Sequence, residues 1–233
     1  MSNPQGGFKP PPKKYQPKGL TFLYEDRDLL VVDKVSGLLT ISSETVRENT
    51  AYWLLNEYVR KGVQKSRKRV FIVHRLDRDT SGVLVFAKSE EAKRFLQAEW
   101  PTFRKQYFAV VHGVPPKSEG VITSYLAENS AHKVYSVSDP KKGKLARTRY
   151  KVLKTGTSCS LLEIELLTGR KNQIRVQLSE GGCPVVGDRK YGLERKGRQR
   201  LALHAASLTL RHPHSKREMT FTAPLPRYFE HLV

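Results

Sequence analysis

The chain of 233 residues has only two cysteines, Cys159 and Cys183, and neither sits in a CxxC pair or a Cys/His spacing of the zinc kind. A disulfide scaffold or zinc ribbon therefore has nothing to build on, and a reducing compartment fits. No apolar run approaches the ~20 residues needed to cross a bilayer. The opening "MSNPQGGFKPPPKKYQPKG" lacks the apolar core of a signal peptide. A cytoplasmic protein without a membrane partner is expected. Internal repeats are also absent. Acidic residues are scarce, with 22 Asp plus Glu against 42 Lys plus Arg, a formal net charge of +20. That excess calls for a polyanionic partner, and nucleic acid is the commonest. Hydrophobic content of 38% with 27% charged residues still describes a folded chain. Its length allows one large domain or two small ones with a sizeable core.

Residues 1–19 hold much Pro, Lys and Gly and almost no aliphatic side chains, which predicts a flexible basic arm before a domain spanning 20–233. "LTFLYEDRDLLVVDK" reads as two strands around an acidic turn. Ala51, Leu54, Leu55, Tyr58 and Val59 follow helical spacing, with Asn49 or Thr50 as N-cap and Gly62 as terminator. A second helix is predicted over 90–100, capped by Ser89 and ended by Pro101. "SLLEIELLTG" (160–169) alternates Leu162, Ile164 and Leu166 with Glu163 and Glu165, the pattern of a half-solvated antiparallel strand. Short strands are expected at 106–111, 133–137, 146–153 and 207–211. Regular βαβ alternation is missing, so the expectation is an α+β fold on a mixed, largely antiparallel central sheet flanked by helices.

Two polar stretches could carry chemistry. "VHRLDRDTSG" (73–82) sets ionisable groups between the apolar segments 70–73 and 83–87. A carboxylate near the end of a buried strand can act as nucleophile or general base, provided a cation or hydrogen-bond donors keep it ionised. The plainer reading is a salt-bridged turn in which Asp79 or Thr80 bonds nearby backbone. The second stretch, "LTGRKNQIRVQLSEGG" (167–182), can start a helix near Asn172 that Gly181 or Gly182 ends. Ile174 and Leu178 would share one face, and Gln173 and Gln177 another. Arg170 and Arg175 are candidate partners for a buried carboxylate or an RNA phosphate. The run "RKGVQKSRKR" (60–69) offers Arg67, Lys68 and Arg69 for phosphate contact, or is simply a solvated loop.

"HRLDRDTSG" together with "GRKNQIRVQL" and "GCPVVGDRKYG" resembles the RluA-type pseudouridine synthase family. "YEDRDLLVVDKVSGLLT", "KQYFAVVHG" and "LALHAASLTLRHP" with "FTAPLP" match further, in the family's order over roughly residues 20–230. The resemblance implies a catalytic domain with a central cleft that isomerises uridine in folded RNA to pseudouridine. In that reaction the glycosidic C–N bond breaks, the uracil rotates, and a C–C bond forms at carbon 5. Redox state is unchanged, so neither cofactor nor metal is called for, and no metal or nucleotide-binding motif is present.

By this resemblance Asp77 is the essential Asp, attacking as nucleophile or initiating proton removal. Tyr107 is the tyrosine that packs against the target base and can assist proton removal from carbon 5. Arg175 pairs with the catalytic carboxylate, and Arg75 helps displace the target nucleotide. His74, Arg78, Arg170, Lys171 and Gln173 join Arg67, Lys68 and Arg69 as expected RNA contacts. The family often carries histidines as "GRxHQIRxH"; here Asn172 and Gln177 stand instead, which removes a titratable ring and points to fixing Arg175 or the backbone. Only the basic arm precedes residue 20, so the domain itself is expected to recognise a ribosomal or transfer RNA stem-loop, acting as a monomer. The alternative is a non-catalytic basic RNA-binding or ribosome-assembly protein. Neither His204 with "RHPHSK" (211–216) nor the group Asp26, Asp28 and Asp33 makes a persuasive metal site, and "GDRKYG" (187–192) reads as a glycine-bounded turn.

Overall fold

The computed structural model describes residues 8–42, 45–63, 65–193 and 199–233. Residues 1–7 of the expected arm and Gln64 of the basic run lie outside them. The elements begin with β1 (Leu20–Glu25), β2 (Leu29–Lys34), α1 (Ala51–Arg60), β3 (Phe71–Ile72), β4 (Ser81–Ala87) and α2 (Glu90–Glu99). There follow β5 (Arg104–His112), β6 (Glu119–Glu128), β7 (Val134–Val137), β8 (Lys144–Thr155) and β9 (Cys159–Leu166). The last are α3 (Gln173–Glu180), β10 (Leu203–Arg211) and β11 (Glu218–Thr222). The class is α+β, as the pattern of helices and alternating strands predicts. The chain divides into two compact units: Met1–Phe103 with Ala205–Pro224, and Arg104–His204 with Leu225–Val233.

The first unit orders its strands β1-β2-β4-β10, with β3 beside β4 and β11 beside β10. The pairs β1–β2, β2–β4, β3–β4 and β10–β11 are antiparallel. All seven residues of β4 are buried, which explains its unbroken apolar text: a strand covered on both faces has no polar side to alternate with. Its core gathers Leu29, Val31, Val83, Val85, Leu96, Leu208 and Phe221. The α1 helix buries Ala51, Leu55 and Val59, one stripe at four-residue spacing. Thr50 rather than Asn49 caps it, accepting from the Trp53 N–H, and Lys61 takes the left-handed closing position ahead of Gly62. In α2, Ser89 accepts from the Ala92 N–H, and Pro101 sits in a 3₁₀ turn that ends the helix. Before β1, a 3₁₀ turn covers Lys13–Tyr15, and the Gln16 side chain fastens this stretch to β1 by accepting from the Phe22 N–H at 3.2 Å.

The second unit orders its strands β5-β9-β8-β6-β7, all antiparallel. In β9, Leu162 and Ile164 are buried while Glu163 and Glu165 stay partly exposed, matching the alternation in the sequence. The α3 helix lies against this sheet, placing Ile174 and Leu178 in the unit's core and Val176 beside Leu126, Val134 and Ala146. It starts one residue after Asn172, which adopts a left-handed backbone at φ 53°. Strands β6 and β11 were not expected from sequence. In β6 one face is largely solvated and carries Glu119, Val121 and Thr123, while the other includes Gly120 and Ser124, so its hydrophobic signal is weak. The β11 strand is five residues long with two threonines and a glutamate.

Candidate active site

The loop between β3 and β4 carries "HRLD", and its main chain is fixed from one side by the segment after β2. Thr40, itself buried, both donates its hydroxyl to the Leu76 carbonyl at 2.8 Å and accepts from the Leu76 N–H at 3.2 Å. Two residues further, the Arg78 carbonyl accepts from the Gly37 N–H at 2.9 Å and from Lys34 Nζ at 3.1 Å. Lys34 is fully buried, and its ammonium also bonds the carbonyls of Val35 and Leu38. Burial pushes it down to about 8, against the pull of the charges on Asp79, Asp77 and Asp33. Between these anchors sits Asp77, half-buried, its carbonyl accepting from the Thr80 N–H at 3.2 Å to close the turn. A carboxylate on a main chain pinned at both adjoining residues has little freedom to drift. Gly82 completes the geometry: its φ is 113°, and a Cβ there would lie 2.2 Å from the Ala205 carbonyl oxygen.

His74 is not a surface histidine. Its Nε2 accepts from the Val85 N–H at 3.1 Å, and its ring stacks on Trp100 with centroids 4.3 Å apart. Arg75 and Arg78 are exposed, and Arg78 Nε donates to the Gly37 carbonyl at 3.2 Å.

In the second unit Arg175 projects from α3 with only 11% of its side chain exposed. Its Nε and Nη2 donate to the two oxygens of Asp188 at 2.7 and 2.8 Å, and its Nη1 donates to Asn172 Oδ1 at 3.3 Å. The guanidinium carbon lies 5.2 Å from the centre of the Tyr191 ring. Burial raises the Asp188 carboxyl, but the Arg175 bonds and charge and the N–H groups of Tyr191 and Lys190 outweigh it and hold the group below the usual range. Gln177 is buried, bonding Thr148 Oγ1 at 2.6 Å, Ser124 Oγ at 2.9 Å and the Ala146 carbonyl at 3.1 Å. Asn172 thus fixes Arg175, and Gln177 fixes the sheet under α3. Tyr107 lies on β5, half-buried, opposite Ile164 of β9 and packed on the unit's core.

The family model described as RNA pseudouridylate synthase matches residues 28–180, which hold the whole "HRLD" loop, Tyr107 and the α3 arginine. The chain belongs to the RNA pseudouridylate synthase family. Ribosomal large subunit pseudouridine synthase D of Nitrosomonas europaea is 38% identical over 89% of this chain and 62% of that protein. Ribosomal large subunit pseudouridine synthase C of Vibrio vulnificus is 33% identical over 91% of this chain and 67% of that protein. The chain therefore spans about two thirds of the length of these bacterial relatives. Among solved structures, human RNA pseudouridylate synthase domain containing 4 superposes with a TM-score of 0.75 at 27% identity, covering 91% of this chain and 90% of that one. Human RNA pseudouridylate synthase domain containing 1 gives 0.72 at 27% identity, covering 92% and 86%. The RluA-type resemblance carried by the motifs holds.

Within this chain the other expected contacts divide by exposure. Arg67, Lys68 and Arg69 lie toward solvent, Arg69 lying over the Phe71 ring at 4.7 Å. Arg170 is exposed and bonds the Leu145 carbonyl at 3.0 Å, and Lys171 is exposed and paired with Glu128. Gln173 differs. It is 2% exposed, and its amide is committed to Thr168, Thr148 and the backbone of Arg170 and Arg147. The expectation of RNA contact for Gln173 has this burial against it; the side chain closes the start of α3 onto β8.

Sequence reasoning missed Lys34, Asp188 and Lys105. Lys105 is a 6%-exposed lysine two residues before Tyr107, so it shares that strand face. Asp188 lies in a segment whose sequence reads only as a turn. Gly187 beside it explains the turn's glycine, since at φ 75° a Cβ would meet the Arg200 carbonyl oxygen at 2.2 Å. Asp26, Asp28 and His212 bring possible ligand atoms within 4.8 Å of one another. The turn's own bonds account for the grouping: Asp26 accepts from the N–H groups of Asp28 and Leu29, the Tyr24 hydroxyl and His212 Nε2. Asp33 stands outside it, pushed up to about 6 by burial. Among the described residues no helix is long and apolar enough to cross a membrane.

Proposed function

We propose that the protein is an RNA pseudouridine synthase that isomerises specific uridines in a stem-loop, with Asp77 as the reactive carboxylate. The observation that carries this reading is the "HRLD" loop, which lies inside the family match and holds a half-buried Asp77 between residues pinned by Thr40, Gly37 and Lys34. A main chain fixed this way preorganises a nucleophile or base at no cost during reaction. Asp77 attacks or initiates proton removal, Tyr107 packs on the target base and assists loss of the carbon-5 proton, and Arg175 favours the ionised carboxylate. Arg75 fills the gap left by the extruded nucleotide, and the exposed arginines and lysines track phosphates. The isomerisation conserves all atoms of the nucleotide apart from the carbon-5 hydrogen, which exchanges with solvent, so no cofactor or metal is required. Names of the bacterial relatives favour ribosomal over transfer RNA as substrate. The enzyme works as a cytoplasmic monomer in this reading.

The test is tritium release from RNA labelled at uridine carbon 5, using total RNA from cells that lack the enzyme. Wild type is expected to release tritium and Asp77→Ala to release none. Silence from wild type on ribosomal and transfer RNA alike would end the synthase reading. Activity in Asp77→Ala would end the assignment of Asp77.

A further inference from the structure

The "GDRKYG" segment has a job that neither the family match nor the motif chemistry assigns. Asp188 has no exposed side-chain surface, and beyond Arg175 its Oδ1 accepts from the N–H groups of Lys190 at 2.9 Å and Tyr191 at 3.0 Å. The carboxylate is therefore locked by its own turn before it meets the arginine. Tyr191, whose ring underlies the guanidinium, is fixed in its turn: its hydroxyl accepts from the Val134 N–H and from Asn172 Nδ2, each at 3.0 Å, and its carbonyl accepts from Ser179. Asn172 also holds Arg175 Nη1. Three N–H groups of the guanidinium are thus assigned to Asp188 and Asn172, and its face rests on an aromatic ring. Paired, side-on bonds of this kind set the plane and rotation of an arginine as well as its position. They occupy the Nε–Nη2 edge, and Asn172 takes Nη1.

We propose that Asp188, assisted by Asn172 and the Tyr191 ring, is a positioning residue for the isomerisation: it sets the plane and rotation in which Arg175 acts. The inference rests on the proposed function, in which Arg175 supports the reaction at Asp77. Asp188 touches neither substrate nor reacting atoms. A loosened guanidinium would weaken the chemical step while leaving RNA affinity, carried by exposed basic side chains, in place.

The experiment compares wild type with Asp188→Asn, Asp188→Glu and Asn172→Gly as full-length protein, reading kcat and KM for tritium release and the melting midpoint of each. Asp188→Asn is expected to lower kcat by about 10- to 100-fold with little change in KM, the scale of a misplaced catalytic group. Asp188→Glu, which restores the charge, is expected to recover part of that kcat. Asn172→Gly keeps the left-handed backbone and removes both the acceptor for Nη1 and a donor to the Tyr191 hydroxyl, so a few-fold lower kcat at unchanged KM is expected, and this variant carries the test if Asp188→Asn does not fold. A second readout is nitrogen NMR of the Arg175 side chain, with resolved Nη signals in wild type and averaged signals in Asp188→Asn. The inference is overturned if folded Asp188→Asn, or Asn172→Gly in its stead, keeps wild-type kcat, or if kcat falls only in step with the folded fraction. An inactive wild type would overturn the proposed function instead, so the two failures are distinct.

Discussion

The "HRLD" loop of the first unit and the start of α3 in the second are both polar stretches set on apolar supports, yet they are held by opposite means. The loop is fixed through its main chain: carbonyls and N–H groups of Leu76 and Arg78 are taken by Thr40, Gly37 and Lys34, and the side chains of Arg75 and Arg78 stay exposed. The α3 region is fixed through its side chains, with Arg175, Gln173 and Gln177 each satisfied by partners on neighbouring strands or turns. Main-chain anchoring tolerates changes in the exposed side chains, because the backbone bonds do not depend on them. Side-chain anchoring does not, since removing an amide or carboxylate leaves a buried partner unpaired.

The largest stability effect should come from Lys34→Met, which keeps the volume but takes the ammonium donor away from three carbonyls. A loss of about 3 kcal/mol is expected, read as a lower urea midpoint. The pH dependence sharpens the point. With its ammonium lowered to about 8, Lys34 contributes stability that is present above its unfolded value and lost as pH falls through about 8. The wild type should therefore gain on Lys34→Met as pH rises from 8 toward the ordinary lysine value of 10.5, and equal slopes would contradict the buried charge. Next, Gln177→Leu should cost about 2 kcal/mol, because Thr148, Ser124 and the Ala146 carbonyl all lose a partner. Replacing it without measurable loss would show that α3 is held by packing alone. Smallest on stability is the triple change of Arg67, Lys68 and Arg69 to serine, since all three lie toward solvent. It should leave the melting midpoint unchanged and flatten the salt dependence of RNA affinity by up to about 0.9 for each phosphate no longer neutralised.

The same contrast explains what the sequence made legible. The helices at Ala51–Arg60 and Glu90–Glu99 carry their caps and apolar stripes in adjacent text, and the β9 alternation is local, so each could be read directly. The "HRLD" loop was legible because its motif is contiguous. Lys34 was not, because its partner Arg78 lies 44 residues away and nothing near "VVDK" marks the lysine as buried. Asp188 was hidden similarly: it lies 13 residues from Arg175, inside a segment whose glycines announce a turn. Gln173 reads as an RNA contact beside Arg170 and Lys171, whereas helix geometry turns its side chain onto β8.

The central claim is that the loop exists to hold one reactive carboxylate, and Asp77→Asn tests it most directly. The measurement pairs single-turnover tritium release with RNA binding on the same preparations. The account predicts a rate lower by roughly 10⁴-fold or more, the scale seen when a nucleophile or base is removed, with affinity for the substrate RNA close to that of wild type. A variant that binds RNA and still forms pseudouridine within about tenfold of the wild-type rate would contradict it.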